Sequence, residues 1–477
     1  MNTSFLNSEI VLVNNLLYID NLGGPEGSFV SERNQHKTVG EYVKGVFENY
    51  DKIDDKREYS DGVTGAEYKQ ILEAIRRSPH LSGLIVMEVH NESPENGGGK
   101  SVFFYDPTAN EALIVFKGTE SSAEWIDNVE GLFKLPTAFQ ENALNWYRSL
   151  DLSSYDVITV SGHSKGGNKA KYIAIVDDTV TNCISFDGQG FSDEFIKKYS
   201  DEIRRNEGKI LNINAESDFV NILLNDVGKR QYYLGTNYGR LGFGENHCAN
   251  AILFFDEDNN VSIWQAPKGQ DHRMADLDVM LNSFVRSIDM GSREVVALML
   301  GNLIVNANNK DTEGIISLFS DEKYSDAAAQ LLAFILRYKE EKPSMVASTR
   351  EILAENGFDT GMLGIADFVT NHELILELIG ESPTAVIDAL ELNNAPESVI
   401  KLLDAHMELF GFLVKVAKRM RKVNPTAYRG EDITPDDTEG LQGAVISRAG
   451  RTRIAIGIGI ALVIAILIIV IMIKFGR

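Results

Sequence analysis

The fold of this chain is decided by one stretch, which runs from Tyr155 to Ile175 and reads YDVITVSGHSKGGNKAKYIAI. Its first seven residues are rich in β-branched side chains and predict a strand, and the run from Asn168 to Ile175 is compatible with a helix. Between them lies Gly162-His-Ser-Lys-Gly166, a G-x-S-x-G pattern. A strand-to-helix turn of this kind exposes the serine hydroxyl, and the two glycines leave room for the tight turn. We therefore predict that Ser164 is a nucleophile.

The sequence around this stretch predicts a sheet that is mostly parallel. Ser101–Tyr105 and Ala112–Phe116 flank a short turn, which is typical of a hairpin. Ile158–Ser161, Cys183–Phe186 and Ile210–Asn214 are further strand-like runs. Long spacers separate these three runs, as parallel strands with crossover helices require. Residues 1–285 are accordingly predicted to form one α/β domain, with helices flanking the sheet.

A serine nucleophile needs a base, and histidines after Ser164 are the candidates, because the order in such domains is serine, acid, histidine. His247 ends the loop Gly242-Phe-Gly-Glu-Asn-His247, which leads into the apolar run Ala251–Phe255. We favour His247 as the base. His272, which follows a later strand-like run, is the alternative.

The base in turn needs a carboxylate that orients it. Asp218 follows the predicted strand Ile210–Asn214, and a carboxylate in that loop can reach a histidine that enters from the next strand. Asp218 is the favoured acid. Asp187, which follows the preceding strand, and Glu216 are the alternatives.

An oxyanion needs two backbone donors. One should be the N–H of Lys165, the residue after the nucleophile. The other should come from the loop after an earlier strand, and Phe116-Lys-Gly-Thr119 is placed for that role. Gly118 permits unusual backbone angles there, and Thr119 offers both an N–H and a hydroxyl.

Taken together, these motifs resemble the bacterial lipase-like hydrolases related to the class 3 (fungal-type) lipases. The resemblance covers roughly residues 8–285 and rests on Phe116-Lys-Gly-Thr119, Trp125-Ile-Asp-Asn128, Ser161-Gly-His-Ser-Lys-Gly-Gly-Asn168, Asp218 and His247. It implies an α/β-hydrolase fold, a Ser164–Asp218–His247 triad and an oxyanion hole at Thr119 and Lys165. It also implies lipase or esterase activity, with a lipid or acyl ester as substrate.

The chain departs from the family pattern at two positions. Lys165 stands where the usual lipase elbow has leucine, and Lys117 stands where the usual FRGT motif has arginine.

Other functions remain open beside ester hydrolysis: a thioesterase or amidase on the same triad, or a non-enzymatic membrane scaffold. An exported effector, whose apolar tail inserts into a target membrane, is a further alternative.

The sequence changes character after residue 285. Residues 286–424 are rich in Leu, Ile, Ala and Glu, and their apolar residues recur at intervals of three and four. They predict an all-α section of roughly five to seven helices, which could bind a protein partner. Residues 425–453 contain proline and glycine among acidic and polar residues, which is typical of a linker.

The C-terminal stretch Ile454–Ile473 reads IAIGIGIALVIAILIIVIMI and has no charged side chain. As a helix it spans roughly 30 Å, the thickness of a bilayer's hydrocarbon core. We predict a single transmembrane helix that anchors the chain by its tail. The slight excess of basic residues before it favours soluble domains in the cytoplasm. Gly457, Ala461 and Ala465 place small side chains on one face, a pattern through which two such helices could form a homodimer.

Composition excludes several other classes of function. The net charge of −23 repels phosphate backbones, so nucleic acid is not an expected partner. Two cysteines do not form a disulfide framework, and their scarcity fits a reducing compartment. The N-terminus has no basic segment followed by an apolar one, so we expect no signal peptide. No zinc-ligand spacing, phosphate loop or dinucleotide motif is present, so no metal or cofactor is expected.

Overall fold

The computed structural model describes residues 2–60, 62–93, 99–235 and 245–309, and isolated residues between 311 and 391. The chain divides into two compact units between Asn282 and Ser283. Every residue of the candidate site below belongs to the first unit. The predicted boundaries at residues 285, 424 and 453 remain predictions.

The first unit is built on a seven-stranded sheet in which the strands follow their chain order. The strands are β3 (Ile85–Asn91), β4 (Lys100–Asp106), β5 (Glu111–Phe116), β6 (Val157–His163), β7 (Asn182–Phe186), β8 (Ile210–Ala215) and β9 (Lys229–Tyr233). The pairs β3–β4 and β4–β5 are antiparallel, and every pair from β5 to β9 is parallel. The predicted hairpin and the mostly parallel α/β sheet are therefore confirmed.

Helices and small sheets surround this sheet. The helices of the first unit are α1 (Asn7–Leu16), α2 (Val39–Phe47), α3 (Gly65–Arg77), α4 (Pro79–Gly83), α5 (Ser122–Glu130), α6 (Ala138–Ser149), α7 (Lys165–Val176), α8 (Asp193–Lys198) and α9 (Ser200–Asn206). Two-stranded sheets are formed by β1 (Glu58–Ser60) with β2 (Val63–Thr64), and by β10 (Phe254–Phe255) with β11 (Val261–Ser262). Helix α10 (His272–Ser287) crosses the boundary between the units, and α11 (Met290–Asn308) lies in the second.

The sheet separates two hydrophobic cores because successive side chains of a strand point to opposite faces. On β5, Leu113 and Val115 join the core formed with α1, α2 and α3, whereas Ile114 and Phe116 join the core formed with α6 and α7. A strand buried on both faces is uniformly apolar, as the run ALIVF is. The sheet is therefore a fixed frame whose carboxyl edge can hold a site.

The C-terminal predictions lie largely outside this description. Helix α11 falls within the predicted all-α section, 286–424, although most of that section lies outside the described residues. Also outside them are the predicted linker, 425–453, and the span Ile454–Ile473 with its stripe of Gly457, Ala461 and Ala465. Within the ranges that are described, no helix combines the length and the apolar composition needed to cross a membrane.

Candidate active site

Ser164 occupies the turn between β6 and α7, at the carboxyl edge of the sheet. Its backbone has φ 60° and ψ −125°, a region that L-residues seldom adopt. The conformation is held because the Ser164 N–H donates to the carbonyl of Phe186, at the end of β7, over 2.9 Å. The turn therefore has the strained geometry expected of a nucleophile elbow.

The two glycines of the pentapeptide are required by close packing of backbone on backbone. A Cβ on Gly162 would lie 2.2 Å from the carbonyl carbon of Gly166. A Cβ on Gly166 would lie 1.9 Å from the carbonyl oxygen of Phe116, on the neighbouring strand β5. Helix α7 can therefore begin this close to the sheet only because both positions lack side chains.

Three segments that are distant in sequence meet at Ser164. The Nε2 atom of His247 lies 2.8 Å from the Ser164 Oγ, and the Nδ1 atom of His247 lies 2.6 Å from an Asp218 carboxylate oxygen. Asp218 follows β8, and His247 ends a short 3₁₀ segment, Glu245–His247. The structure thus brings together all three residues of the predicted triad.

Burial shifts the pKa values of the histidine and the acid. Burial lowers the pKa of His247 to about 3, so the imidazole is neutral at neutral pH and Nε2 can accept a proton. Burial raises the pKa of Asp218, while backbone N–H groups counteract that rise. The N–H groups of Val220 and Asn221 donate to one Asp218 oxygen over 2.8 and 2.7 Å, which leaves the other oxygen for His247.

The alternative residues occupy other environments. His272 is exposed at the first residue of α10, while the contact with Ser164 is made by His247. Glu216 is half-buried, and burial and Asp271 raise its pKa. Asp187 is fully buried and accepts from the Ala215 N–H and the Asn221 side-chain amide, over 2.7 and 2.8 Å.

Asp187 therefore braces the loop that carries Asp218, and it is Asp218 that lies within hydrogen-bond distance of the imidazole. Burial and the nearby Asp218 carboxylate raise the pKa of Asp187 well above its usual range. In the apolar run Ala251–Phe255 that follows His247, Phe254–Phe255 forms a strand, and Ala251 and Ile252 lie in a turn.

Both predicted oxyanion residues lie beside the nucleophile. Lys165 is the first residue of α7, so its N–H has no acceptor within the helix. Thr119 lies in the loop after β5, and its hydroxyl accepts from the side-chain amide of Asn128 over 2.9 Å. The loop approaches the elbow so closely that a Cβ on Gly118 would lie 3.1 Å from the Ser164 Cβ.

A tyrosine that the sequence motifs do not indicate also lies at this site. The Tyr18 hydroxyl accepts from the Gly118 N–H over 3.1 Å and lies 2.7 Å from Nδ1 of His163, to which it can donate. Burial lowers the pKa of His163 well below its usual range, and its ring lies 4.7 Å from that of His247. Tyr18 thus connects the loop that carries Thr119, the predicted oxyanion loop, with His163, the residue before Ser164. It lies about a hundred positions from Gly118, so no local pattern could have indicated this role.

The side chain of Lys165 makes a second contact that the sequence motifs do not indicate. Its ammonium lies 2.5 Å from an Asp127 carboxylate oxygen, and both side chains are almost fully buried. Asp127 belongs to the motif Trp125-Ile-Asp-Asn128, in which the sequence indicates no role for it. Within the described ranges, no cluster of three or more His, Cys, Asp or Glu could hold a metal ion.

One family model matches part of the chain. Residues 85–234 match the family model described as Mbeg1-like, a lipase-like family. The match is less than half of the chain; it contains Ser164 and Asp218 and ends before His247. The chain thus has a lipase-like relation over β3 to β9, whereas a bacterial origin remains a prediction. No curated protein sequence matches the chain.

Two solved lipase structures are similar to the chain. Lip2 lipase from Yarrowia lipolytica has 12% identity and a TM-score of 0.30, over 54% of this chain and 82% of its own. A triacylglycerol lipase from Penicillium expansum has 11% identity and a TM-score of 0.24, over 32% of this chain and 71% of its own. At these TM-scores, neither structure contributes to the functional argument.

Proposed function

We propose that the chain is a serine hydrolase that cleaves carboxylic esters of lipids through an acyl-enzyme on Ser164. The observation that carries the proposal is the position of His247, which bridges Ser164 at 2.8 Å and Asp218 at 2.6 Å. A neutral imidazole held between a hydroxyl and a carboxylate is the arrangement that activates a serine.

In the acylation step, the Ser164 hydroxyl gives its proton to Nε2 of His247 as Oγ attacks the ester carbonyl. The carbonyl oxygen becomes an oxyanion, which the N–H groups of Lys165 and Thr119 would stabilise. The C–O bond then breaks, and the imidazolium gives its proton to the departing alcohol. In deacylation, His247 takes a proton from a water molecule, which attacks the carbonyl of the acyl-enzyme. The bond to Ser164 Oγ then breaks, the imidazolium returns the proton to Oγ, and the carboxylic acid is released.

The test is covalent labelling by a fluorophosphonate probe, followed by a panel of lipid and p-nitrophenyl esters. The wild-type chain should be labelled and should turn over esters, and Ser164→Ala should lose both activities with an unchanged circular dichroism spectrum. Ser154→Ala, at an exposed serine in the turn before β6, is the matched control and should behave as wild type. Equal labelling of Ser164→Ala would remove Ser164 from the mechanism.

The substrate panel separates the alternatives. Thioesters and amides in the same panel distinguish a thioesterase or amidase, because either would use the same triad with a different leaving group. A folded wild-type chain that is neither labelled nor active on any member of the panel would instead favour the membrane scaffold.

We further propose that the apolar span Ile454–Ile473 holds the hydrolase at a membrane, near acyl substrates. Support comes from its sequence alone: twenty residues without a charge, long enough to cross a hydrocarbon core. A chain ending at Val445 should therefore appear in the soluble fraction after carbonate extraction, while the full chain stays with the membranes. Membrane retention of the shortened chain would contradict the anchor.

A further inference from the structure

Helix α7 carries a buried cation directly after the nucleophile. The Lys165 side chain is 1% exposed and its Nζ lies 2.5 Å from the Asp127 Oδ2, whose side chain is 2% exposed. Asp127 also accepts from the Thr137 hydroxyl over 2.8 Å and from the Phe139 N–H over 3.3 Å. The carboxylate is therefore fixed from several directions, and the ammonium binds to it.

Asp127 lies on α5, the helix that follows the oxyanion loop. The next residue, Asn128, donates its side-chain amide to the Thr119 hydroxyl over 2.9 Å. Adjacent residues of one helical turn therefore contact both oxyanion-hole residues, Lys165 on α7 and Thr119 in the loop after β5. Helix α5 itself begins at a capping box formed by Ser121 and Glu124.

We propose that Asp127 is a positioning residue whose buried ion pair with Lys165 fixes the backbone N–H of Lys165 at the oxyanion hole. This inference rests on the proposed function of Ser164. The N–H and the ammonium belong to the same residue, so fixing the side chain restricts how far the start of α7 can shift. An oxyanion donor acts only when it is aimed at the developing charge, and displacement by about 1 Å can cost a hundredfold in rate.

The same helix supplies a matched control. Lys171 lies 2.6 Å from Asp226, with side chains 0% and 4% exposed. This second pair joins the same two residue types with side chains that are also buried, but Lys171 lies further along α7, and its ammonium also donates to the Gly188 carbonyl over 3.1 Å. Breaking either pair leaves a lysine buried without its carboxylate. Only the first should affect the reaction.

The experiment compares Asp127→Asn with Asp226→Asn in the full chain. Both variants should lower the thermal midpoint to a similar extent. Asp127→Asn should also reduce kcat about 30- to 100-fold with little change in KM. The reason is that the Lys165 N–H, when correctly placed, stabilises the transition state and not the bound ester, so its displacement affects kcat. Asp226→Asn should keep kcat within about threefold of wild type.

A second readout isolates the oxyanion hole. A trifluoromethyl ketone forms a tetrahedral adduct with the serine and places an oxyanion in the hole, whereas a non-hydrolysable ether analogue of the substrate does not. Asp127→Asn should weaken inhibition by the ketone about as much as it lowers kcat and leave binding of the ether unchanged. Should Asp127→Asn fail to fold, Lys165→Arg keeps the charge but alters the fit, and about a tenfold loss of kcat with the same ketone signature is expected.

The outcomes separate this inference from the proposed function. A wild-type chain that hydrolyses esters, with Asp127→Asn as active and as sensitive to the ketone as Asp226→Asn, overturns the positioning role alone. The same conclusion follows if Lys165→Arg, used in its place, matches wild type. A wild-type chain without labelling or turnover overturns the proposed function, and the positioning role with it.

Discussion

The substitution Asp218→Asn tests the triad through the direction of its hydrogen bonds. The N–H groups of Val220 and Asn221 both donate to Asp218 Oδ1, so an asparagine at this position must keep its carbonyl oxygen there. Its NH₂ group would then face Nδ1 of His247, which now lies 2.6 Å from Oδ2. To accept that bond, the imidazole must carry its proton on Nε2.

An imidazole protonated on Nε2 cannot take the proton of Ser164, whose Oγ lies 2.8 Å away. A wrong tautomer in a serine triad costs about 10⁴-fold in kcat, which corresponds to about 5.5 kcal/mol in the barrier. Asp218→Ala removes the orienting acid without imposing the wrong tautomer. It should lose on the order of a thousandfold or more.

The assay is the steady-state hydrolysis of one soluble p-nitrophenyl ester, combined with the rate of fluorophosphonate labelling. Circular dichroism and urea unfolding serve as fold controls, because asparagine is nearly isosteric with aspartate. If folded Asp218→Asn retained kcat within about tenfold of wild type, the inference that Asp218 fixes the tautomer of His247 would be refuted.

His247→Ala should lose about as much kcat as Ser164→Ala, on the order of 10⁵-fold or more, because the two residues act as a unit. His272→Ala changes an exposed residue and should match wild type, and the reverse result would reassign the base to His272. Since burial lowers the pKa of His247, the base stays neutral as pH falls, so the acid limb of kcat/KM should lie below pH 6.5, and a limb above 6.5 would contradict it. Gly166→Ala should lower the free energy of unfolding by about 3 kcal/mol or more, because its Cβ would clash with the backbone of Phe116, whereas Gly45→Ala, in open space on α2, should raise it by roughly 0.5–1 kcal/mol. Urea titration measures both values, and similar values for the two variants would contradict the clash.

Much of the candidate site could be predicted because its signals are local. The elbow needs a strand, a helix and two glycines within about twenty residues, and each can be recognised from side-chain type and spacing. The same holds for the hairpin β4–β5, whose two apolar runs flank one turn. Chain order also narrowed the acid and the base to a few residues, although it left Asp187 and His272 as candidates.

The sequence by itself therefore determined the elbow, the strands and the chain order of the reacting groups, because those features depend on neighbouring residues. The tertiary structure decided which acid and histidine serve Ser164: the parallel strands β6 and β8 carry Ser164 and Asp218 to one edge of the sheet, and the segment that ends at His247 packs between them. It alone placed Tyr18 against the oxyanion loop and Asp127 against Lys165. These contacts join elements that are far apart along the chain, and their partners are fixed by packing in three dimensions, which no interval along the chain encodes.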